Sequence, residues 1–501
     1  MKIQEVRLQA LSDWIFHVRT REVHDVCETD ACEHRLLSRR DIVKNIVLFA
    51  LNSSVVEAVL TQTDWHIQAL ILPNDMYKER YSDEPRIQYV YTRYDFHRNN
   101  DLAGLDFKEL EQFRGAQLHA ENFFLRFIND YQMAKYDYYR GFALVSRIFR
   151  DKPIDLVIVD GFNEGRASDM LLTEFAKYKG IPTYNLDVVF TGKSCVYDNI
   201  KDRMMSVYSE DDSEKKEKDF YSLNFNTLTD SVVFYHPILK NKFAQMVERI
   251  VYVIFGQVGV DACSCLYTMS NRKNKMGLKF TERFQLFLKA RRIKKWLDRH
   301  TQEADVKEKY IYFSLHYEPE ATVSARGLME SQIVALRILS QLLPEGWKLY
   351  VKEHPHQFKY NERMLYAYPL ATFKSIRFYE EILAIPNVVL LHTKLPSDIL
   401  IRNSQAVASL SGTAFGEAVA MKKPILLFAG QRTPYRILQE SYNIRSYADC
   451  VSAIHEVRAN SEDGRHPDYR DWDGIFQRYL FETSPEGYKE AVAAIDRFVG
   501  S

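Results

Sequence analysis

Along most of the chain, short continuous apolar runs alternate with longer stretches in which apolar residues return every three or four positions. The first run, Ile46-Val-Leu-Phe-Ala-Leu51, stops at Asn52-Ser-Ser54, and the second, His66-Ile-Gln-Ala-Leu-Ile-Leu72, stops at Pro73-Asn-Asp75. Runs without polar alternation leave no solvent-facing side, so they read as strands of a parallel sheet covered on both faces. Strand, helix and strand follow within one βαβ length. Residues 107 to 150 then read as helix, with Phe123, Phe124, Phe127 and Tyr131 at a spacing that marks a core-facing stripe.

Ile154-Asp-Leu-Val-Ile-Val-Asp160 is the next strand. A helix is expected from Arg166 to Lys179, closed by Gly180-Ile-Pro182 and followed by a strand over Thr183 to Leu186. A strand that ends on an acid and gives way to the loop Gly161-Phe-Asn-Glu-Gly165 places Asp160, Asn163, Glu164 and Arg166 at the carboxyl edge of the sheet. Open α/β sheets bind ligands at that edge. Turn chemistry and helix capping explain the same residues without a ligand.

A second series opens at Lys309-Tyr-Ile-Tyr-Phe-Ser-Leu315. A helix from Leu328 to Leu343, a turn at Pro344-Glu-Gly346 and a strand over Trp347 to Val351 complete a βαβ unit. Further strands are expected at Val388 to His392, Ala406 to Leu410 and Ile425 to Phe428, giving five parallel strands and a second Rossmann-like sheet. The fold class is therefore α/β with two Rossmann-like domains and extra helices between them. The boundaries expected are 1–235 for the N-terminal domain, 236–305 for a helical connection and 306–460 for the C-terminal domain, with 461–501 a helical segment packing back across the junction.

Composition adds limits. A length of 501 residues exceeds one ordinary core and agrees with two domains. Lys plus Arg and Asp plus Glu both number 67, so there is no global field to gather nucleic acid, and any polyanion site is local. The charged stretch Ser209 to Asp219 reads as a solvated loop. Lys289-Ala-Arg-Arg-Ile-Lys-Lys-Trp-Leu-Asp-Arg-His300 carries six Lys or Arg residues near Phe284, Phe287 and Leu288. It suits a peripheral membrane contact through 284–300 or a solvated helix face leading into the linker. The six cysteines are scattered and form no C-x-x-C pair, so neither a disulfide framework nor a metal site is expected. No stretch reaches the ~18 apolar residues of a membrane span, and a cytoplasmic protein, peripheral at the inner membrane face at most, is expected.

Two loops of the second series carry the candidate chemistry. Ser411-Gly-Thr413 lies between a strand and a helix, where small residues let a phosphate approach free backbone N–H groups and the helix start adds partial positive charge. Glu417 follows Thr413 by one helical turn, placed to accept from ribose hydroxyls. The segment fits neither the Walker loop nor the full dinucleotide fingerprint, and as structure alone it is a capped turn. His354-Pro355 follows the Trp347–Val351 strand beside Lys352, and a second edge loop runs from His316 to Glu320. Imidazole and ammonium donors there suit a phosphate leaving group, although a histidine in such a turn also serves to bond backbone. His-Pro recurs at His236-Pro237 and His466-Pro467, so only its position distinguishes this copy.

Phe313-Ser-Leu-His-Tyr-Glu-Pro-Glu-Ala-Thr322, Leu349-Tyr-Val-Lys-Glu-His-Pro355 and Ser411-Gly-Thr-Ala-Phe-Gly-Glu-Ala-Val-Ala-Met-Lys-Lys-Pro424 together resemble bacterial capsule and surface-polysaccharide biosynthesis proteins. That family is related to the Kdo transferases and similar to GT-B glycosyltransferases. The resemblance covers about residues 309 to 430 and implies two Rossmann-like domains facing across a cleft. It implies a nucleotide-sugar donor, with CMP as a candidate nucleotide, held by the C-terminal domain through His316, Glu320, Lys352, His354, Ser411, Gly412, Thr413 and Glu417. The acceptor, a growing glycan or glycolipid, then lies on the N-terminal domain, with Asp160 or Glu164 as catalytic carboxylate and Asn163 and Arg166 beside it. The activity implied is a glycosyltransferase without a cofactor, the nucleotide sugar being a substrate, and the absence of a D-x-D metal signature in the candidate loops points to metal-independent transfer. Two rival readings are a glycerol- or ribitol-phosphate transferase of surface polymers, and a non-catalytic glycan-assembly partner of the same fold.

Overall fold

The computed structural model describes residues 43–103, 105–125, 130–151, 153–161, 168–190, 192–208, 246, 250, 280–318, 329, 331–354, 357–358, 373–428, 433–438, 441–469 and 477–500. The α/β class holds, with two Rossmann-like sheets. In the N-terminal half, β1 (Asn45–Phe49), β2 (His66–Leu72), β3 (Val90–Thr92), β4 (Leu156–Asp160) and β5 (Thr183–Phe190) pair in parallel in the order β3-β2-β1-β4-β5. An antiparallel extension follows, built from β6 (Lys193–Asp198) and β7 (Arg203–Met205). Helices α1 (Ser53–Gln62), α2 (Arg114–Phe124), α3 (Tyr131–Asp151) and α4 (Ser168–Tyr178) belong to this half. The continuous apolar runs sit where two covered faces demand them: Ile46 and Leu48 enter one cluster with Val55 and Val59, while Val47 and Phe49 enter the other with Phe123, Tyr138 and Phe142.

The C-terminal half follows α5 (Phe280–His300). It contains β8 (Tyr310–Ser314), α6 (Gln332–Leu342), β9 (Lys348–Lys352), α7 (Ile376–Leu383), β10 (Val388–Leu391), α8 (Ser397–Asn403), β11 (Ala406–Ser409), α9 (Ala414–Ala420), β12 (Ile425–Phe428), β13 (Ser441–Ile444) and α10 (Tyr447–Asp463). The sheet is parallel throughout, in the order β10-β9-β8-β11-β12-β13. It has six strands where the apolar runs predicted five. The extra one, β13, is an edge strand whose side chains are mostly half-buried, so it carries no continuous apolar run. Alternate residues of β8 serve opposite faces. Ile311 and Phe313 pack with Leu297 of α5, Leu336 of α6 and Ile382 of α7, and Tyr310 and Tyr312 pack with Leu400 of α8 and Phe415 of α9.

The second of those clusters takes in Cys195, Tyr197 and Met204 from β6 and β7, so the two sheets share one apolar core. Arg436 adds polar ties across it, donating to Tyr197 Oη at 3.2 Å and Asp202 Oδ2 at 2.9 Å. The chain then returns to the N-terminal half. β14 (Leu480–Glu482) pairs antiparallel with β6, and α11 (Pro485–Gly500) packs Tyr488, Ala491, Val492 and Ile495 against α1. The first turn of α11 needs Gly487, because a Cβ there would lie 1.9 Å from the Glu482 carbonyl oxygen at the end of β14.

Candidate functional site

Strand order reverses beside the first strand of each half: between β8 and β11 in the C-terminal sheet, and between β1 and β4 in the N-terminal one. At such a switch point the two outgoing loops leave toward opposite faces and open a crevice at the carboxyl edge.

At the C-terminal switch point β8 runs through Leu315 to buried His316, whose environment is fixed from three sides. The His316 backbone N–H donates to Gln332 Oε1 at 2.6 Å, and its carbonyl accepts from Gln332 Nε2 at 3.2 Å and Lys374 Nζ at 2.7 Å. Ring Nδ1 lies 3.2 Å from the Ser411 carbonyl across the crevice, and since a carbonyl only accepts, Nδ1 carries the proton. Ser409 Oγ stands 2.8 Å from the carbonyls of Ser314 and Ser411, tying the β11 exit to β8. Gly412 follows with φ +120°, a region closed to residues with a Cβ, and its bare Cα faces the His316 ring.

One strand over, β9 ends at Lys352 and continues to Glu353 and half-buried His354, whose ring is 5.8 Å from that of Tyr317. Glu353 and Lys374 form a fully buried ion pair, with Lys374 Nζ at 2.9 and 3.1 Å from the two carboxylate oxygens. Glu353 also accepts from the His354 backbone N–H at 2.6 Å and from Tyr379 Oη at 2.7 Å. One network thus holds the exits of β8 and β9 and the start of α7. Glu318 joins it through Gln332 and through two bonds with Gln357, and burial raises its carboxyl above the ordinary range against the pull of the Lys374 charge. The sequence reading missed Glu353, Lys374, Gln332 and Tyr379. The available signal was alternation: Lys352 and Glu353 point to opposite faces of a two-sided sheet, so each charge needs its own partner.

Lys352 does face the other side. Its Nζ donates to the Leu395 carbonyl at 2.6 Å and Ser397 Oγ at 2.7 Å, and burial lowers it to about 8, partly offset by the charges of Glu417 and Asp398. Glu417, one turn into α9, is raised to about 7, mainly by burial, against the pull of Lys352 and with a push from Asp398. Its Oε2 is buried and has no hydrogen-bond partner among the described residues. The expected helix-start cradle is slighter than the sequence implied. Thr413 has helical backbone angles and makes no side-chain cap, and α9 spans seven residues, so little dipole accumulates there.

His316, Ser411 and Gly412 therefore meet at one point, His354 stands one strand away, exposed Thr413 opens α9, and Lys352 and Glu417 share the face beneath. Glu320, Asn163, Glu164 and Arg166 lie outside the described residues. Among the described residues no three His, Cys, Asp or Glu side chains are grouped to hold a metal ion.

The N-terminal switch point is occupied by Asp160 itself. Its Oδ2 accepts from the backbone N–H groups of Leu51 at 3.0 Å and Asn52 at 2.7 Å, and its Oδ1 from Tyr488 Oη at 2.9 Å. Burial raises the carboxyl to about 6, the three donors pulling the other way. These bonds give Asp160 the work of fastening the β1–α1 turn and the C-terminal helix to β4. Tyr488→Phe is expected to lower stability by about 1 kcal/mol, read as a drop in the thermal midpoint. An unchanged midpoint would mean that the bond to Asp160 does not hold α11.

No protein-family model and no curated protein matches the chain. Solved structures that align with it include the β-Kdo 2,7 transferase KpsC from Thermosulfurimonas dismutans, at 11% identity over 71% of this chain and 88% of that one, with a TM-score of 0.30. The UDP-GlcNAc 2-epimerase of Methanocaldococcus jannaschii, solved with UDP-GlcNAc and UDP, aligns at 11% identity over 91% and 99%, with a TM-score of 0.25. The calicheamicin glycosyltransferase CalG4 aligns at 15% identity over 92% and 98%, with a TM-score of 0.24. The chain is thus similar in outline to glycosyltransferases and to a nucleotide-sugar epimerase, and superpositions this loose carry over no residue role.

Proposed function

We propose that the chain is a glycosyltransferase that seats a nucleotide-linked sugar at the carboxyl edge of the C-terminal sheet and passes the sugar to a glycan or glycolipid on the N-terminal side. One observation supports this reading above the others, the contrast between the two switch points. The C-terminal one gathers His316, the Cβ-free backbone of Gly412 and, one strand away, His354, above a carboxyl at Glu417 that titrates near neutrality. The N-terminal one is closed by the three bonds to Asp160.

Departure of the nucleotide leaves negative charge on phosphate, which donors fixed in advance stabilise without reorganising. His354 and the backbone and hydroxyls of Ser411, Gly412 and Thr413 are assigned to that phosphate, with His316 fixing the loop, and Glu417 to the ribose. Lys352 acts from beneath, where its charge favours the ionised form of Glu417 against the stronger effect of burial. Because the oxygens of Asp160 are engaged, the catalytic carboxylate is assigned to Glu164, with Asn163 and Arg166 beside the acceptor. A CMP-linked donor and a growing surface polysaccharide are the finer form of the reading. Transfer of glycerol or ribitol phosphate would leave phosphate in the product linkage, which product mass distinguishes.

The test is a thermal-shift and titration panel of CMP, UDP, GDP and CDP. One nucleotide is expected to raise the midpoint, and His354→Ala to weaken that nucleotide by up to about tenfold, the worth of one hydrogen bond. No shift with any of the four would remove the reading's main support.

A further inference from the structure

The basic helix α5 is not used by the reading above. Its buried edge, Ala290, Ile293 and Leu297, packs on the outer face of the C-terminal sheet, which leaves the opposite edge in solvent. There Arg291, Arg292, Lys295, Trp296 and Arg299, with Ile376 of α7, line a groove of about 460 Å³. Leu288, Arg292, Lys295 and Arg299 follow one another at four-, three- and four-residue steps, a single stripe about 16 Å long. Arg292, Lys295 and Arg299 are exposed and form no ion pair among the described residues, whereas neighbouring Lys294 is paired with Asp298 at 2.6 Å. Leu288, at the start of the stripe, is 49% exposed, and Trp296 is partly buried against the core with its ring stacked on His300 at 4.0 Å.

We propose that this groove and stripe dock the protein on a membrane surface by taking the phosphate headgroups of anionic lipids. The chain is electrically neutral overall, so three exposed cations on one edge, unpaired among the described residues, form a local patch whose complement is a negative surface. Among the described residues their heads make no hydrogen bond or ion pair, an arrangement suited to mobile headgroups more than to one rigidly bound ion. The exposed leucine and the half-buried indole supply the apolar component that, joined to a polybasic stripe, gives stable interfacial binding. Among the described residues no helix is long and apolar enough to cross a membrane, so docking here is peripheral. Ile376 follows by two residues Lys374, whose ammonium holds the His316 carbonyl, so the half that docks is the half with the candidate donor site. The proposal does not depend on the transferase reading.

Co-sedimentation of the full chain with vesicles of phosphatidylcholine alone, and of phosphatidylcholine mixed with phosphatidylglycerol, tests it. Binding is expected to the mixed vesicles only and to weaken with added salt. The triple variant Arg292→Gln, Lys295→Gln, Arg299→Gln is expected to bind on the order of 100-fold more weakly, Arg299→Glu alone at least several-fold, and Lys294→Gln nearly as wild type. All these positions lie on the helix surface, and an unchanged melting profile checks that the variants fold. Equal binding to both vesicle types, or a triple variant that binds as wild type, overturns the proposal. So does tight binding of inorganic phosphate or a soluble polyanion by a protein that ignores vesicles, which would assign the groove to a free anion.

Discussion

Lys374→Met is expected to remove about 3–5 kcal/mol of unfolding free energy, the usual consequence of stranding one half of a buried ion pair. Methionine keeps most of the volume, so the loss is electrostatic. Among the described residues it leaves the fully buried Glu353 carboxylate the His354 N–H and the Tyr379 hydroxyl, and it takes from the His316 carbonyl the ammonium donor at 2.7 Å. The double variant Lys374→Met, Glu353→Gln is expected to recover a large part of the loss, because a neutral amide oxygen can still accept from His354 and Tyr379. Urea denaturation of the two single variants and the double closes the cycle. A loss under about 1 kcal/mol for Lys374→Met would place the ammonium in water and dissolve the argument that this network sets the two histidine loops.

The parallel strands were legible because burial on both faces writes an uninterrupted apolar run: His66–Leu72 and Ile425–Phe428 are strands over the residues the pattern marked. The elements that escaped carry no continuous apolar run: β13 is an edge whose side chains are mostly half-buried, and β6, though buried on both faces, reads Lys-Ser-Cys-Val-Tyr-Asp, its polar residues interrupting the pattern. The candidate site divides in the same way. That His316 and His354 stand at strand exits follows from local order, since a loop after a buried strand emerges at the carboxyl edge. What holds them does not, because Gln332, Glu353 and Lys374 reach the same point from separate elements, and only folding makes them neighbours. Asp160 shows the cost of reading an edge acid locally: one of its donors, Tyr488, comes from 328 residues further along the chain.

Glu417→Gln is expected to do two opposite things, and the pair of effects identifies a ligand group. Burial raises the Glu417 carboxyl from its ordinary 4.5 to about 7. The folded state then holds its proton longer than the unfolded chain, so ionisation costs stability, beginning near pH 4.5 and complete somewhat above pH 7, by at most about 3 kcal/mol. Glutamine does not titrate. The variant is therefore expected to be the more stable protein at pH 8 and to lose the advantage at pH 4.5. Nucleotide affinity moves the other way: a ribose hydroxyl donating to an ionised carboxylate is worth about 1.5–3 kcal/mol, so the variant is expected to bind about 10- to 100-fold more weakly. Wild-type affinity is expected to rise with pH through about 7 as the carboxylate forms, with protons released on binding, and the variant's profile to be flat over that range. Melts at the two pH values and titrations across neutrality measure both arms. A variant less stable at pH 8, or one with wild-type affinity and the wild-type pH profile, would show that the carboxyl serves the fold and that the ribose is held elsewhere.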